Sequence, residues 1–146
     1  MQASAIWTGG YQTLLDDLRG HRVVIDLPRE EDGQDAGTSA LELAVLSLAG
    51  CISTIFALVA RRRRIAYTAM RVDLTADRPR ASPTVVGVHG TMTIASPASR
   101  DDIETALAIT LRTCPVGVLF ERAHIPVSVA VVRAAEPPAL SSSPVA

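Results

Sequence analysis

Apolar and polar positions change their spacing several times along this chain, and each change predicts an element. Short apolar runs at Ala5 to Trp7, Tyr11 to Leu15 and Val23 to Leu27, separated by glycines 9, 10 and 20, read as strands of a hairpin or meander. From Pro28 to Ser39 the sequence PREEDGQDAGTS is acidic and apolar-poor, which predicts a surface loop ending in a helix start. Thr38 or Ser39 is the expected N-cap, with Glu42 three residues beyond Ser39 in capping-box position. A long helix then runs from about Ala40 to Arg63. Met70, Val72 and Leu74 alternate with Arg71, Asp73 and Thr75, as on a half-buried strand. A second alternating run puts Val86, Val88, Met92 and Ile94 on one face and His89, Thr91 and Thr93 on the other, an expected antiparallel neighbour. Ser99 and Asp102 start another helix with a stripe of Ile103, Ala106, Leu107 and Leu111. That helix ends near Cys114, and Pro115 suits the first turn of a shorter one reaching Glu121. Val127 to Val132 is the last expected strand. The domain is expected to occupy residues 1–133, with a disordered tail over 134–146.

The long helix poses a choice. Eighteen uncharged residues from Leu43 to Ala60 precede Arg61, Arg62, Arg63 and Arg64, the layout of a membrane span with a basic flank. A span here would place the strands before and after it on opposite sides of a bilayer and leave both halves with unpaired edges. An apolar helix enclosed by its own protein has the same composition, and cations at its C-terminus complement the helix dipole. The order of elements therefore predicts a soluble α+β fold with no membrane partner. A small domain cannot surround such a helix alone, so a homodimer is expected, with two copies of the helix packed inside sheets donated by both chains.

Composition narrows the chemistry. A net charge of −1 and a pI near 6.3 disfavour a nucleic-acid partner. All fourteen basic residues are arginine, which excludes lysine Schiff bases and lysine general bases. No secretory signal is visible at the start of the sequence, so a cytoplasmic location is expected. The three histidines have no ligand spacing with Cys51 or Cys114, and no metal site is expected. Two cysteines in a reducing compartment are redox-active, metal-binding or simply buried. Cys51 sits in the apolar helix, where a small inert hydrophobe is the plain reading. Cys114 precedes the proline that opens a helix, a position whose amides and dipole are expected to lower a thiol pKa.

The segment GTSALELAVLSLAGCISTIFALVARRR, followed after two strands and a helix by TCPVGVLFERAHIPVSV, resembles the OsmC/Ohr family. That family carries one cysteine on a long helix and a second in a C-P-V sequence. The resemblance extends from AIWTGG and GHRVVIDLP to Val132. It implies an intertwined α+β homodimer, with two buried central helices enclosed by curved antiparallel sheets and cysteine sites at the subunit interface. It also implies reduction of organic hydroperoxides in oxidative-stress defence, without a cofactor. Cys51 is then the attacking thiolate that becomes a sulfenic acid, and Cys114 the resolving thiol that closes a disulfide. A dithiol donor of lipoyl or thioredoxin type restores the pair.

Peroxide-reducing relatives surround the thiol with an N-terminal arginine and a glutamate ten residues before the cysteine. Here that place is Leu41, and the carboxylate is Glu42, nine residues before Cys51. On a regular helix it is turned about 180° away and displaced by about 13.5 Å. Glu42 is thus a catalytic candidate only through a dimer mate, and is otherwise a cap. Arg19 and Arg22 are the candidate arginines. Ala40 stands where the family's helix-start proline is expected. Leu48, Ile52, Ile55 and Phe56 are the expected apolar pocket. Two readings stand open: a dithiol peroxidase, or a non-catalytic dimer of this fold that binds a small apolar ligand at the subunit interface.

Overall fold

The structure, a computed structural model, describes residues 1–135. They form two compact units that divide within the long helix, after Leu46. The residues of the expected tail from 136 onward lie outside the described part, while Ala134 still donates its amide to the Ile94 carbonyl at 2.9 Å.

The N-terminal unit is an antiparallel meander of β1 (Ser4–Gly9), β2 (Gln12–Asp16) and β3 (Arg22–Ile25). Gly9 and Gly10 make the first turn with φ of 137° and 52°, a conformation that favours glycine, and the Trp7 indole donates to the Gly10 carbonyl at 2.9 Å. Trp7 and Tyr11 are exposed in the single chain rather than part of its core. Between β3 and the long helix the chain makes a 3-10 turn, Arg29–Glu31, and folds around Asp26. The Asp26 carboxylate is 3% exposed and accepts the amides of Leu27, Gln34 and Ala36 at 2.8, 3.1 and 3.2 Å. Burial alone would push its pKa up, but the three amide donors outweigh it and hold the group below the usual carboxylate value.

Helix α1 is Ala40–Arg63, the range expected from its pattern. Its start is a capping box: Ser39 N–H donates to Glu42 Oε2 at 2.8 Å, and Glu42 N–H to Ser39 Oγ at 3.3 Å. By length and composition α1 is apolar enough to cross a bilayer. Its buried residues are Leu48, Ile52, Phe56, Val59 and Ala60, a stripe along one face. Leu46 and Leu58, away from that stripe, are 56% and 47% exposed, so one chain covers only part of an apolar circumference.

The second unit contains the rest of α1, the sheet β4 (Ala69–Asp77), β5 (Gly87–Ala95) and β6 (Val127–Arg133), and helices α2 (Arg100–Thr113) and α3 (Pro115–Arg122). β4 and β5 are antiparallel from Ala69 opposite Ala95 to Asp77 opposite Gly87. β6 lies parallel to β5, unlike the antiparallel sheets expected, because α2 and α3 form the crossover that brings the chain back in the same direction. Val88, Met92 and Ile94 face the core as their alternation predicts. Val86 does not: it precedes β5 and is 47% exposed, its amide bonded to Asp77 O at 2.8 Å at the end of the β4–β5 pair. Ile103 and Ala106 of α2 are fully buried in the same unit. Each fully buried side chain of Ile, Met or Phe size contributes about 1.5–3 kcal/mol of transfer free energy, so these buried residues stabilise the second unit.

Candidate active site

Both thiols belong to the second unit, one on α1 and one between α2 and α3. Cys114 ends α2, donating its amide to Thr110 O at 2.8 Å, and caps α3, where its Sγ accepts the Gly117 amide at 3.3 Å. Pro115 supplies the next residue with the φ a helix start requires and no amide to satisfy. The same short sequence thus stops one helix, starts another at an angle of 64°, and fixes a sulfur at the bend.

Cys114 is fully buried and Cys51 half-buried; both are free thiols. Their sulfurs are neighbours, and the Cys51 thiol bears on the ionisation of Cys114. The sequence reading expected the α3 dipole to lower the Cys114 pKa. Instead the thiol is pushed up to about 11, first by burial and then by the neighbouring Cys51 sulfur, while the amides of Gly117 and Val116 pull the other way without prevailing. Cys114 therefore holds its proton at neutral pH.

A cavity of about 420 Å³ is lined by Leu48 and Ile52, near Cys51 in sequence, and by Gly117, the amide partner of Cys114. Leu48 and Ile52, which flank Cys51 on α1, form its apolar wall with Leu111, Ile125 and Val127, and Arg112, Glu121 and His124 supply polar groups. Phe56 is elsewhere, packed edge-on against Tyr67 with ring centroids 6.1 Å apart, and Ile55 is half-buried without lining the cavity. The contributions of Leu111, Gly117, Ile125 and Val127 escaped the sequence reading. Only Gly117 left a signal there, three residues beyond an N-cap, where a cap acceptor finds its donor.

The other candidates belong to the N-terminal unit and have partners within it. Arg22 Nε meets Asp16 Oδ2 at 2.8 Å across the β2–β3 pair, and Arg19 meets Asp17 Oδ2 at 2.8 Å. The Ser39 amide, then the Ser39 and Thr38 hydroxyls, hold the Glu42 carboxyl below its usual pKa.

Residues 33–130 match the family model described as OsmC-like protein. The chain belongs to the OsmC-like family. Its fold is likewise similar to that of solved OsmC-like structures. An OsmC-like protein from Mycoplasma pneumoniae superimposes with a TM-score of 0.80 at 16% identity, over 90% of this chain and 95% of the other. An organic hydroperoxide resistance protein OsmC from Legionella pneumophila gives 0.72 at 19% identity, over 89% and 94%. An organic hydroperoxide resistance protein from Elizabethkingia anophelis gives 0.73 at 17%, over 90% and 94%. No curated protein matches the sequence.

Proposed function

We propose that the protein is a two-cysteine peroxidase that reduces organic hydroperoxides, and that it acts as a cytoplasmic homodimer in defence against oxidants. The neighbouring placement of the Cys51 and Cys114 sulfurs carries this reading. Family membership and the organic hydroperoxide resistance proteins among its structural neighbours support a peroxide-related role. The apolar circumference of α1, exposed at Leu46 and Leu58, supports burial against a second copy.

The Cys51 thiolate attacks the outer peroxide oxygen, the O–O bond breaks, and the alkoxide leaves as the alcohol after taking a proton. Cys51 is then a sulfenic acid. The Cys114 sulfur attacks the Cys51 sulfur, the S–O bond breaks, and the Cys114 proton leaves with the hydroxyl as water. An external dithiol reduces the disulfide and is itself oxidised to a disulfide. The apolar wall of Leu48 and Ile52 favours an organic substituent over hydrogen peroxide. Arg19, Arg22 and Glu42 would assist only by exchanging their present partners, or by reaching the thiol across the dimer.

One equivalent of cumene hydroperoxide added to the reduced protein tests the proposal. The expected result is loss of two thiols per chain within a minute, slower with hydrogen peroxide and absent in Cys51→Ser. Persistence of both thiols would sink the enzyme. It would favour the second reading, a dimer that binds a small apolar ligand, for which the 420 Å³ cavity is the supporting observation.

A further inference from the structure

We propose that the 420 Å³ cavity of the second unit binds a small zwitterion with an apolar substituent, of the apolar α-amino acid class, with Arg112 holding its carboxylate and Glu121 its ammonium group. The inference rests on the cavity and its charged lining, not on the thiols. It gives a chemical identity to the ligand of the second functional reading and stands or falls separately from peroxide turnover.

The cavity joins two chemistries. Leu48, Ile52, Leu111, Ile125 and Val127 make an aliphatic wall, and the whole lining comes from one compact unit. Its volume falls within the range of about 300–1,000 Å³ common to small-molecule sites. Arg112 and Glu121 line the same cavity with opposite charges. Among the described residues neither makes an ion pair, with the other or elsewhere. Other opposite charges on this surface do close up: Arg100 Nε meets Glu104 Oε1 at 2.7 Å, and Arg22 Nε meets Asp16 Oδ2 at 2.8 Å. A simple anion or cation entering the cavity satisfies one of the two side chains and is opposed by the other, whereas a zwitterion satisfies both. An α-amino acid carries both charges at one end, which leaves its apolar side chain for the aliphatic wall.

His124 supplies an independent observation. It follows α3 with a φ of 58°, a left-handed conformation that glycine adopts at least cost. Two backbone bonds fix the turn, from His124 N–H to Glu121 O and from Ile125 N–H to Phe120 O, both at 2.9 Å. The chain carries an imidazole here instead of glycine, and it lines the cavity. A side chain kept where the backbone favours its absence points to a contact that the side chain makes with a guest. The imidazole adds a further hydrogen-bonding group beside the two charges.

The test is a proton–nitrogen NMR titration of the full-length reduced protein with L-leucine and L-phenylalanine, in the absence of peroxide. Saturable shifts of the Gly117, Ile125 and Val127 amides are expected. Phenylalanine methyl ester, which lacks the carboxylate, and N-acetylphenylalanine, which lacks the ammonium group, should each bind about tenfold more weakly, the loss of one charged hydrogen-bonding partner. Arg112→Gln should weaken phenylalanine while leaving the ester no weaker, and Glu121→Gln should weaken phenylalanine while leaving the acetylated form no weaker. His124→Gly should lose affinity without lowering the urea midpoint. Equal binding of phenylalanine and its acetylated form would overturn the zwitterion, and absence of saturable shifts with both amino acids would overturn the site. Either failure leaves the peroxidase reading in place, since no peroxide is added, and persistence of the thiols in cumene hydroperoxide leaves this site in place.

Discussion

The amide of Gly117 donates to Cys114 Sγ at 3.3 Å, so the sulfur proposed for disulfide chemistry is also a helix cap. The two roles can be separated. Cys114→Ser keeps a cap acceptor and is expected to change stability by less than about 1 kcal/mol, whereas Cys114→Ala loses the cap at a cost of about 1 kcal/mol. Both substitutions leave a chain that cannot form the internal disulfide. Urea melts combined with thiol counts after peroxide check this, and equal stability of the two variants would remove the cap from the account.

Alkaline stability should carry the mark of Cys114. Its folded pKa, about 11, lies above the ordinary thiol value of 9.0, so the folded chain keeps a proton that the unfolded chain gives up. The associated stability is complete below pH 9 and lost as pH rises toward 11. Denaturant midpoints for the reduced protein should fall across that window more steeply than those of Cys114→Ser. Parallel curves would contradict the assignment.

Asp26→Ala should loosen the loop before α1. Three amides lose a buried carboxylate acceptor, for an expected cost of about 2–4 kcal/mol. Hydrogen exchange should accelerate first at Leu27, Gln34 and Ala36. Because the folded pKa is depressed, this contribution is present above the unfolded carboxylate value and disappears as pH falls through the folded one. Unchanged exchange at those three amides would exclude the clamp.

His21 Nδ1 lies 2.8 Å from Asp17 Oδ2, and the carboxylate raises the imidazole pKa. NMR titration should find it above 6.5 in the native chain and lower in Asp17→Asn. The pair's contribution to stability from His21 is present below the unfolded histidine pKa and lost as pH rises through the folded one. A titration unaffected by the substitution would mean that this exposed turn does not hold the contact in solution.

How much of this was legible beforehand depended on whether the signal was local. The limits of α1 followed from Ser39 and Glu42 at one end and the arginines at the other. The break between α2 and α3 followed from Pro115. Membership of the OsmC-like family could be read because both cysteine motifs keep their order and setting. Parallel pairing of β6 was not legible, since alternation reports which face is buried and carries no strand direction. Nor was the Cys114 pKa: the helix start is visible in sequence, but the burial that outweighs it depends on residues distant in the chain. The partners of the two candidate arginines were legible for a nearer reason. Asp16 and Asp17 precede Arg19 and Arg22 across a tight turn, and side chains that pair there are occupied by one another.

The loop between β3 and α1 separates shape from charge. Its path is set by the Asp26 clamp and by Gly33 and Gly37, where any added Cβ would collide with the carbonyls of Leu27 and Val24. Asp32 and Asp35 adopt φ of 63° and 57°, a conformation asparagine takes as readily as aspartate. Arg29, Glu30 and Gln34 are exposed. Mutational drift could therefore neutralise or invert the acidity of this segment while its contour stayed the same, leaving its surface potential to be set by whatever the protein meets in solution.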